Sequence, residues 1–420
     1  MDPGRGARVM SVQAPTGAPA VGMSPAPRSV GGLFAFDEGE CLRLAQHVGT
    51  PAFVYRASRA LRQLSDLRAV LPPRVRVAYA VKANPLPQLL EAFAAAGTSF
   101  DVASAGELGR LQALGVSPSR IFFAGPGKRD AEIVQAVTLG VRLQAEGIED
   151  LTRADAVATT LGLEAVEVNL RVQPLGVEES GSILGGSGPT AFGVDEEDLG
   201  DLLARARDLR RVRVAGLHGF AASNERDANR LLANHRRLFE IGRSLEQEYG
   251  LRLDQVDLGG GLGVPYCESE SLLDLEALGR GLAALLDEQR WFGGEVILEP
   301  GRFLAAPCGV YLARVVRTKH SRGTHFAILE GGIHHLLRPL LTGQPFPVRH
   351  VGGEKGVPRR TTTLAGPLCT GLDRLGEVEL PTVSPGDVLA FGMTGAYGAT
   401  EAMSHFLDHP PAAECWWEDS

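Results

Sequence analysis

Residues 76–103 read RVAYAVKANPLPQLLEAFAAAGTSFDVA. An apolar run over Arg76–Val81 leads into a stretch that Pro87 opens and Gly97 closes, with Leu89, Leu90 and Phe93 at helical spacing. A second apolar run follows at Phe100–Ala103. A strand, a helix and a strand in so short a span form a βαβ unit, whose crossover makes the two strands parallel. The alternation continues to Pro300. Further strands are predicted at Arg120–Ala124, Val141–Ala145, Ala165–Val172, Val212–His218, Gln255–Leu258 and Glu295–Glu299. Amphipathic helices are predicted at Pro87–Ala96, Ala105–Leu114, Asp130–Leu139, Ile148–Leu161, Glu196–Asp208, Arg226–Tyr249 and Leu272–Gln289. Eight strand–helix units in this length predict an α/β fold, a closed (β/α)8 TIM barrel over residues 51–300. A doubly wound open sheet is the rival.

Beyond Gly301 the texture changes. Short β-rich runs at Val310–Thr318, Phe326–Leu329, Thr361–Ala365 and Val388–Phe391 are separated by Gly- and Pro-containing turns. They predict a C-terminal, mostly antiparallel β domain over residues 301–420. Residues 29–50 are a lead-in, with Gly32–Phe36 expected to add a strand to that domain. Residues 1–28, rich in Pro, Gly and Ala, are expected to be disordered and lack the apolar core of a signal peptide. Gln173–Gly193, containing GVEESGSILGGSG, is expected to form a mobile loop near the barrel mouth.

The 420 residues allow two or three domains. Lys plus Arg total 42 against 50 Asp plus Glu, a formal charge of −8, which argues against nucleic acid or an anionic membrane as partner. No apolar stretch approaches the roughly 18 residues of a membrane span. The 5 cysteines are scattered without zinc spacing, which predicts a reduced, cytoplasmic setting and no metal site. The adjacent His334 and His335 would face opposite sides of a strand and so make poor joint ligands.

In a barrel, chemistry gathers where the strands end. Lys82 ends the first strand, Asp101 lies in the second, Arg171 in the fifth, and His218 ends the sixth. The seventh runs into Gly259-Gly260-Gly261-Leu262-Gly263, and the eighth into Glu299-Pro300-Gly301-Arg302. Each feature alone has a plain structural explanation: a rim lysine, a tight turn, an ion pair. Converging on one rim, they describe a site for a phosphate-bearing cofactor.

The motifs AYAVKANP (78–85), FDVASAGEL (100–108), VDLGGGLGVPY (256–266), EPGRF (299–303), GPLCTGLD (366–373) and GAYG (395–398) resemble those of the fold-type III pyridoxal-phosphate decarboxylases. Diaminopimelate and ornithine decarboxylases belong to that family, whose barrel is shared with alanine racemases. The resemblance runs from about Leu33 to Pro410. FAGPGKRDAEI (123–133) and GPLCTGLD are similar to a branch acting on amino acids tethered to a carrier protein. The resemblance implies pyridoxal 5′-phosphate as cofactor, bonded to Lys82, with Glu299 on the pyridine nitrogen. It implies phosphate contacts from Gly259, Gly260, Gly261, Arg302, Ser223 and Tyr397, with Gly301 as a further cofactor-binding residue. Asp101 and Arg171 match residues around the Lys and Glu, and His218 is carried over as a packing residue. Cys369 matches a proton donor supplied across a homodimer, so the site would be composite.

Four residues bear on substrate. Phe220 stands where many members stack a His on the cofactor. Thr370 replaces the acid that grips a distal ammonium, and Glu330 stands where an Asp is usual. Arg338 resembles an arginine that binds a distal carboxylate in diaminopimelate enzymes. The resemblance therefore implies α-decarboxylation of an L-amino acid. The reading preferred here is an acidic amino acid tethered by its side-chain carboxyl to an acyl carrier protein, in antibiotic-type biosynthesis. The alternatives are a free diaminopimelate, ornithine or lysine decarboxylase, a related racemase, or a non-catalytic regulator.

Overall fold

The computed structural model describes residues 9–13, 32–176, 189–220, 222–353 and 356–418. It divides into one unit of Leu64–Val264 and Leu272–Phe303, and another of Met1–Gln63, Pro265–Ser271 and Leu304–Ser420.

The first unit is the barrel. Its strands are β1 (Val75–Ala80), β2 (Ser99–Val102), β3 (Ile121–Phe123), β4 (Arg142–Ala145), β5 (Val166–Gln173), β6 (Val212–Gly219), β7 (Gln255–Asp257) and β8 (Glu295–Leu298). Every neighbouring pair is parallel, and β8 pairs back to β1, which closes the sheet. Each strand lies within a residue or so of its predicted place. Local chemistry sets the bounds: Pro300 stops β8, and Ser104, Asp227 and Asp274 cap the helices Ala105–Ala113, Ala228–Tyr249 and Leu275–Glu288 with side-chain oxygens. The predicted helix Glu196–Asp208 is a 3-10 turn over Glu196–Asp198 followed by a helix over Leu199–Ala206.

Register decides which side chains face inward. Residues paired across parallel strands share a face, so Ala80, Asp101 and Phe122 line one stretch of wall, and Arg171, His218, Asp257 and Ile297 another. Between β5 and β6 the register shifts. Val168 pairs with Val214 but Asn169 pairs with Gly216, leaving Ala215 as an inserted residue. The insertion turns Gly216 and His218 to the inside. Low in the barrel, Asn169 Nδ2 donates to Gln255 Oε1 across 2.7 Å, both side chains being buried. Gly216 leaves room for this pair: a Cβ there would come within 2.3 Å of Asn169 Oδ1.

In the second unit the sheet is mostly antiparallel. Gly309–Ser321 pairs with Val388–Phe391 on one edge, and with Ala52–Arg56 and then Thr324–Leu329 along the other. Arg359–Ala365 pairs with Arg374–Pro381, and Val348–Val351 with Val388–Phe391. Ala413–Glu418 lies parallel to Ala52–Arg56.

Three expectations are corrected here. Residues 51–63 belong with this unit, because Ala52–Arg56 is hydrogen-bonded into its sheet on both edges. Gly32–Phe36 is not a strand. Its carbonyls are taken by arginines instead: Arg59 donates to Phe34 O, Arg56 to Ala35 O and Arg349 to Phe36 O. Val9–Gln13, within the segment expected to be disordered, forms a strand parallel to Ala413–Glu418. The rest of residues 1–28, and residues 177–188 of the expected mobile loop, lie outside the described residues. Among the described residues, no helix is long and apolar enough to cross a membrane.

Gly216→Ala would force a methyl into the Asn169–Gln255 pair. A loss of about 1–3 kcal/mol in unfolding free energy is expected, read from denaturant melts. Unchanged stability would mean that this layer is loosely packed.

Candidate active site

Above the Asn169–Gln255 pair the barrel interior becomes ionisable. Gln144, on β4, reaches across the inside and donates from Nε2 to Asp257 Oδ2 at 2.8 Å and to Glu299 Oε1 at 3.2 Å. His218 Nε2 lies 3.3 Å from Glu299 Oε2. Lys82 sits in a 3-10 turn, Val81–Ala83, directly after β1, and its Nζ meets Asp101 Oδ2 at 3.0 Å. Asp101, Gln144, His218, Asp257 and Glu299 are all buried, while the Lys82 side chain is 41% exposed. A buried lysine holds Gln144 from behind. Lys128 Nζ donates to the Gln144 backbone O at 2.6 Å, to Gly125 O and to Asp150 Oδ2.

Three carboxyls in one dry space cannot all carry charge. Burial pushes Asp257 well above the ordinary carboxylate range, and adjacent Glu299 pushes it further. Burial and Glu299 likewise raise Asp101, against the pull of Lys82 and His218. Glu299 goes the other way, to about 2: burial opposes its charge, but the attraction and contact of His218, then Lys82, outweigh that. Lys128 is drawn down by burial, with Asp150 and Glu146 resisting.

The glycine run after β7 supplies the other half of the site. Gly261 has φ +98°, and a Cβ there would lie 2.6 Å from Ala222 O, so no other residue fits without movement. Gly259 N donates to Asp257 Oδ1 at 3.0 Å. The N–H groups of Gly260 and Gly261 meet no acceptor among the described residues. Two backbone donors at a barrel rim, with a lysine amine and a buried carboxylate in the same unit, fit a phosphorylated pyridine aldehyde. The Phe220 ring packs against Gly260. Ser223 lies in the loop after β6, and Gly301 and Arg302 follow Glu299 after Pro300. Among the described residues, His218, Asp257 and Glu299 also bring ligand atoms within 4.8 Å of one another. Gln144 and the shared proton requirement already account for that cluster.

Two barrel assignments change. Arg171 does not touch Glu299 or Lys82. It pairs with Glu146 at 2.9 Å and stacks on Phe192. His218 is more than packing, because it stands beside Glu299.

The remaining predicted residues belong to the β unit. Asp373 shapes the GPLCTGLD loop, accepting from Ile333 N at 2.8 Å and Leu368 N at 2.7 Å. That leaves Cys369 exposed, while the Thr370 hydroxyl accepts from Leu372 N at 3.2 Å. Glu330 accepts from Arg314 N at 2.7 Å. Arg338 is buried, its guanidinium 3.7 Å over the Tyr266 ring and donating to Gln344 Oε1 at 2.9 Å. Tyr397 has φ +55°, a left-handed conformation that costs a non-glycine residue roughly 1–2 kcal/mol and marks a constrained position. His334 and His335 lie in a turn rather than a strand, with ring centroids 4.0 Å apart. His335 is occupied by Tyr311 OH and Pro410 O.

Sequence reasoning missed Gln144 and Asp257. Asp257 lay inside a quoted motif, and the signal for Gln144 was an amide in the short strand RLQA of a closed barrel.

Comparison with known proteins agrees with this geometry. The family described as "Pyridoxal-dependent decarboxylase, pyridoxal binding domain" matches residues 57–306. An L-glutamyl-[BtrI acyl-carrier protein] decarboxylase from Niallia circulans is 31% identical over 392 residues, 90% of this chain and 91% of that protein. A diaminopimelate decarboxylase from Neisseria meningitidis is 32% identical over 368 residues, covering 86% and 88% of the two chains. The crystal structure of the Helicobacter pylori diaminopimelate decarboxylase complexed with L-lysine superposes with a TM-score of 0.82 at 26% identity, covering 90% and 94%.

The charges predict a pH limb. Glu299, at about 2 when folded against an ordinary 4.5, adds stability that is present above 4.5 and lost as pH falls towards 2. Thermal melts of the wild type should fall across that window, and Glu299→Gln should flatten the decline. An identical acid limb in the variant would place the effect elsewhere.

Proposed function

This chain belongs to the pyridoxal-dependent decarboxylases, and on that premise we propose that it removes the α-carboxylate of an acidic L-amino acid carried as a side-chain thioester on an acyl carrier protein. The cofactor is pyridoxal phosphate, which supplies a sink for the electron pair left at Cα when CO2 departs. Lys82 is positioned to hold its aldehyde carbon, with Asp101 orienting the amine. Gly260 and Gly261 offer N–H donors to the phosphate, with Ser223, Arg302 and Tyr397 as further phosphate contacts. Ionised Glu299 would accept from the N–H of the cofactor's pyridine and hold that proton in place. We assign to Cys369 the return of a proton to Cα, its thiol lying at the exposed tip of a loop that Asp373 fixes.

The likeness to the carrier-protein decarboxylase over nine-tenths of the chain carries the substrate reading. The β unit supports it. The Thr370 hydroxyl accepts from Leu372 N, Glu330 from Arg314 N, and Arg338 donates to Gln344 Oε1, and the neutral Thr370 offers no charge to a free distal ammonium. The second reading, a free diaminopimelate decarboxylase, rests on relatives at 32% identity and on the presence of Arg338. A cytoplasmic homodimer with a composite site completes the proposal; the 5 unpaired cysteines favour a reducing compartment.

The test compares CO2 release from carrier-bound glutamate or aspartate with release from free diaminopimelate, ornithine and lysine. Faster turnover of a carrier-bound substrate is expected; preference for a free diamino acid would install the second reading. A mixing experiment addresses the shared site. Lys82→Ala and Cys369→Ala homodimers should each be nearly inactive, and exchanging their subunits should restore part of the activity. No recovery after confirmed exchange would leave each site within one chain.

A further inference from the structure

Asp257 plays no part in the chemistry above, yet it is fully buried beside the carboxylate on which the cofactor depends. Its surroundings over-determine it. Gly259 N donates to Oδ1 at 3.0 Å and Gln144 Nε2 to Oδ2 at 2.8 Å; the same Nε2 reaches Glu299 Oε1 at 3.2 Å, and the two carboxyls bring oxygens within 4.8 Å of each other. Two buried carboxyls this close, bridged by one amide, hold one proton between them. The remaining groups decide where it sits. His218, 3.3 Å from Glu299 Oε2, and Lys82 favour charge on Glu299; Asp101, the third carboxyl, is paired with Lys82. Among the described residues, the hydrogen bonds to Asp257 come from Gln144 Nε2 and the Gly259 amide, neither of them cationic; His218, within 4.8 Å of both carboxyls, makes its ion pair with Glu299.

We propose that Asp257 is a positioning residue, kept as a neutral carboxylic acid that donates a hydrogen bond to Glu299. It holds Glu299 ionised and correctly turned for the pyridine nitrogen. Gln144 is its partner, fixing both carboxyls through one NH2 group, and is itself fixed by Lys128 on its backbone carbonyl. Gly259 links the acid to the phosphate loop, so the two ends of the cofactor site share one hydrogen-bonded frame. The inference rests on the reading that Glu299 serves the pyridine.

The first readout needs no turnover. Infrared difference spectra of the full-length chain, with and without pyridoxal phosphate, should show the carbonyl band of a protonated carboxyl at neutral pH, and Asp257→Asn should lose it. Absence of the band from the wild type, or its persistence in Asp257→Asn, would overturn the proposal. The second readout is cofactor affinity by titration of the apoprotein. Asp257→Asn keeps an N–H directed at Glu299 and should retain binding. Asp257→Ala leaves Glu299 without that donor and should weaken binding about tenfold or more. Equal affinities for the two variants would refute the positioning role. Glu299→Gln separates the premise. If the cofactor's absorption and affinity are unchanged in it, Glu299 does not serve the pyridine, whatever the band shows.

Discussion

Taking a charge out of water costs several kcal/mol even after the protein relaxes, and the barrel interior holds an ionised Glu299 that is almost entirely buried. The neighbouring placements follow from this constraint. His218 and Lys82 supply attraction, and Asp257 gives up its own charge. Gln144 donates to both carboxyls. Even Lys128, some way behind, belongs to the same solution, because an amide that bridges two acids must not rotate.

Much of the fold was legible because barrel strands announce themselves. They are short, apolar runs closed by Pro, Gly or a capping residue, and all eight lie where the alternation put them. Membership in a sheet was less legible. AFVYR at residues 52–56 reads as a strand wherever it goes, and only pairing with residues more than two hundred positions away assigns it to the β unit. Of the site, Lys82, Asp101, the glycine run and Glu299 were visible at strand ends. Gln144 and Asp257 were not singled out, because a polar residue in a strand normally reads as outward-facing, and inwardness depends on closure. The partner of Arg171 was equally hidden: Glu146 lies in the loop after β4 and meets it only in three dimensions.

The β unit solves a different problem, that of holding irregular backbone in place without strands. The Gly32–Phe36 segment is held by three arginines on its carbonyls, and the GPLCTGLD loop by one aspartate on two amides. In both cases a side chain does for a loop what a neighbouring strand does for a sheet. Position thus becomes precise without regular structure, in a loop whose Cys369 thiol is exposed.

The extra residue at Ala215 has a consequence for how the chain can change. Before it, even-numbered residues of β6 face outward; after it, they face inward. Leu217 therefore meets the helix at Gly242, and His218 meets Glu299. The strand carries a reading frame. Removing or adding one residue between the insertion and Phe220 would exchange the two, placing a leucine among the charges and an imidazole among the helix leucines. Changes of length in this part of the barrel are then confined to loops, or to compensated pairs, while substitutions within the frame remain open.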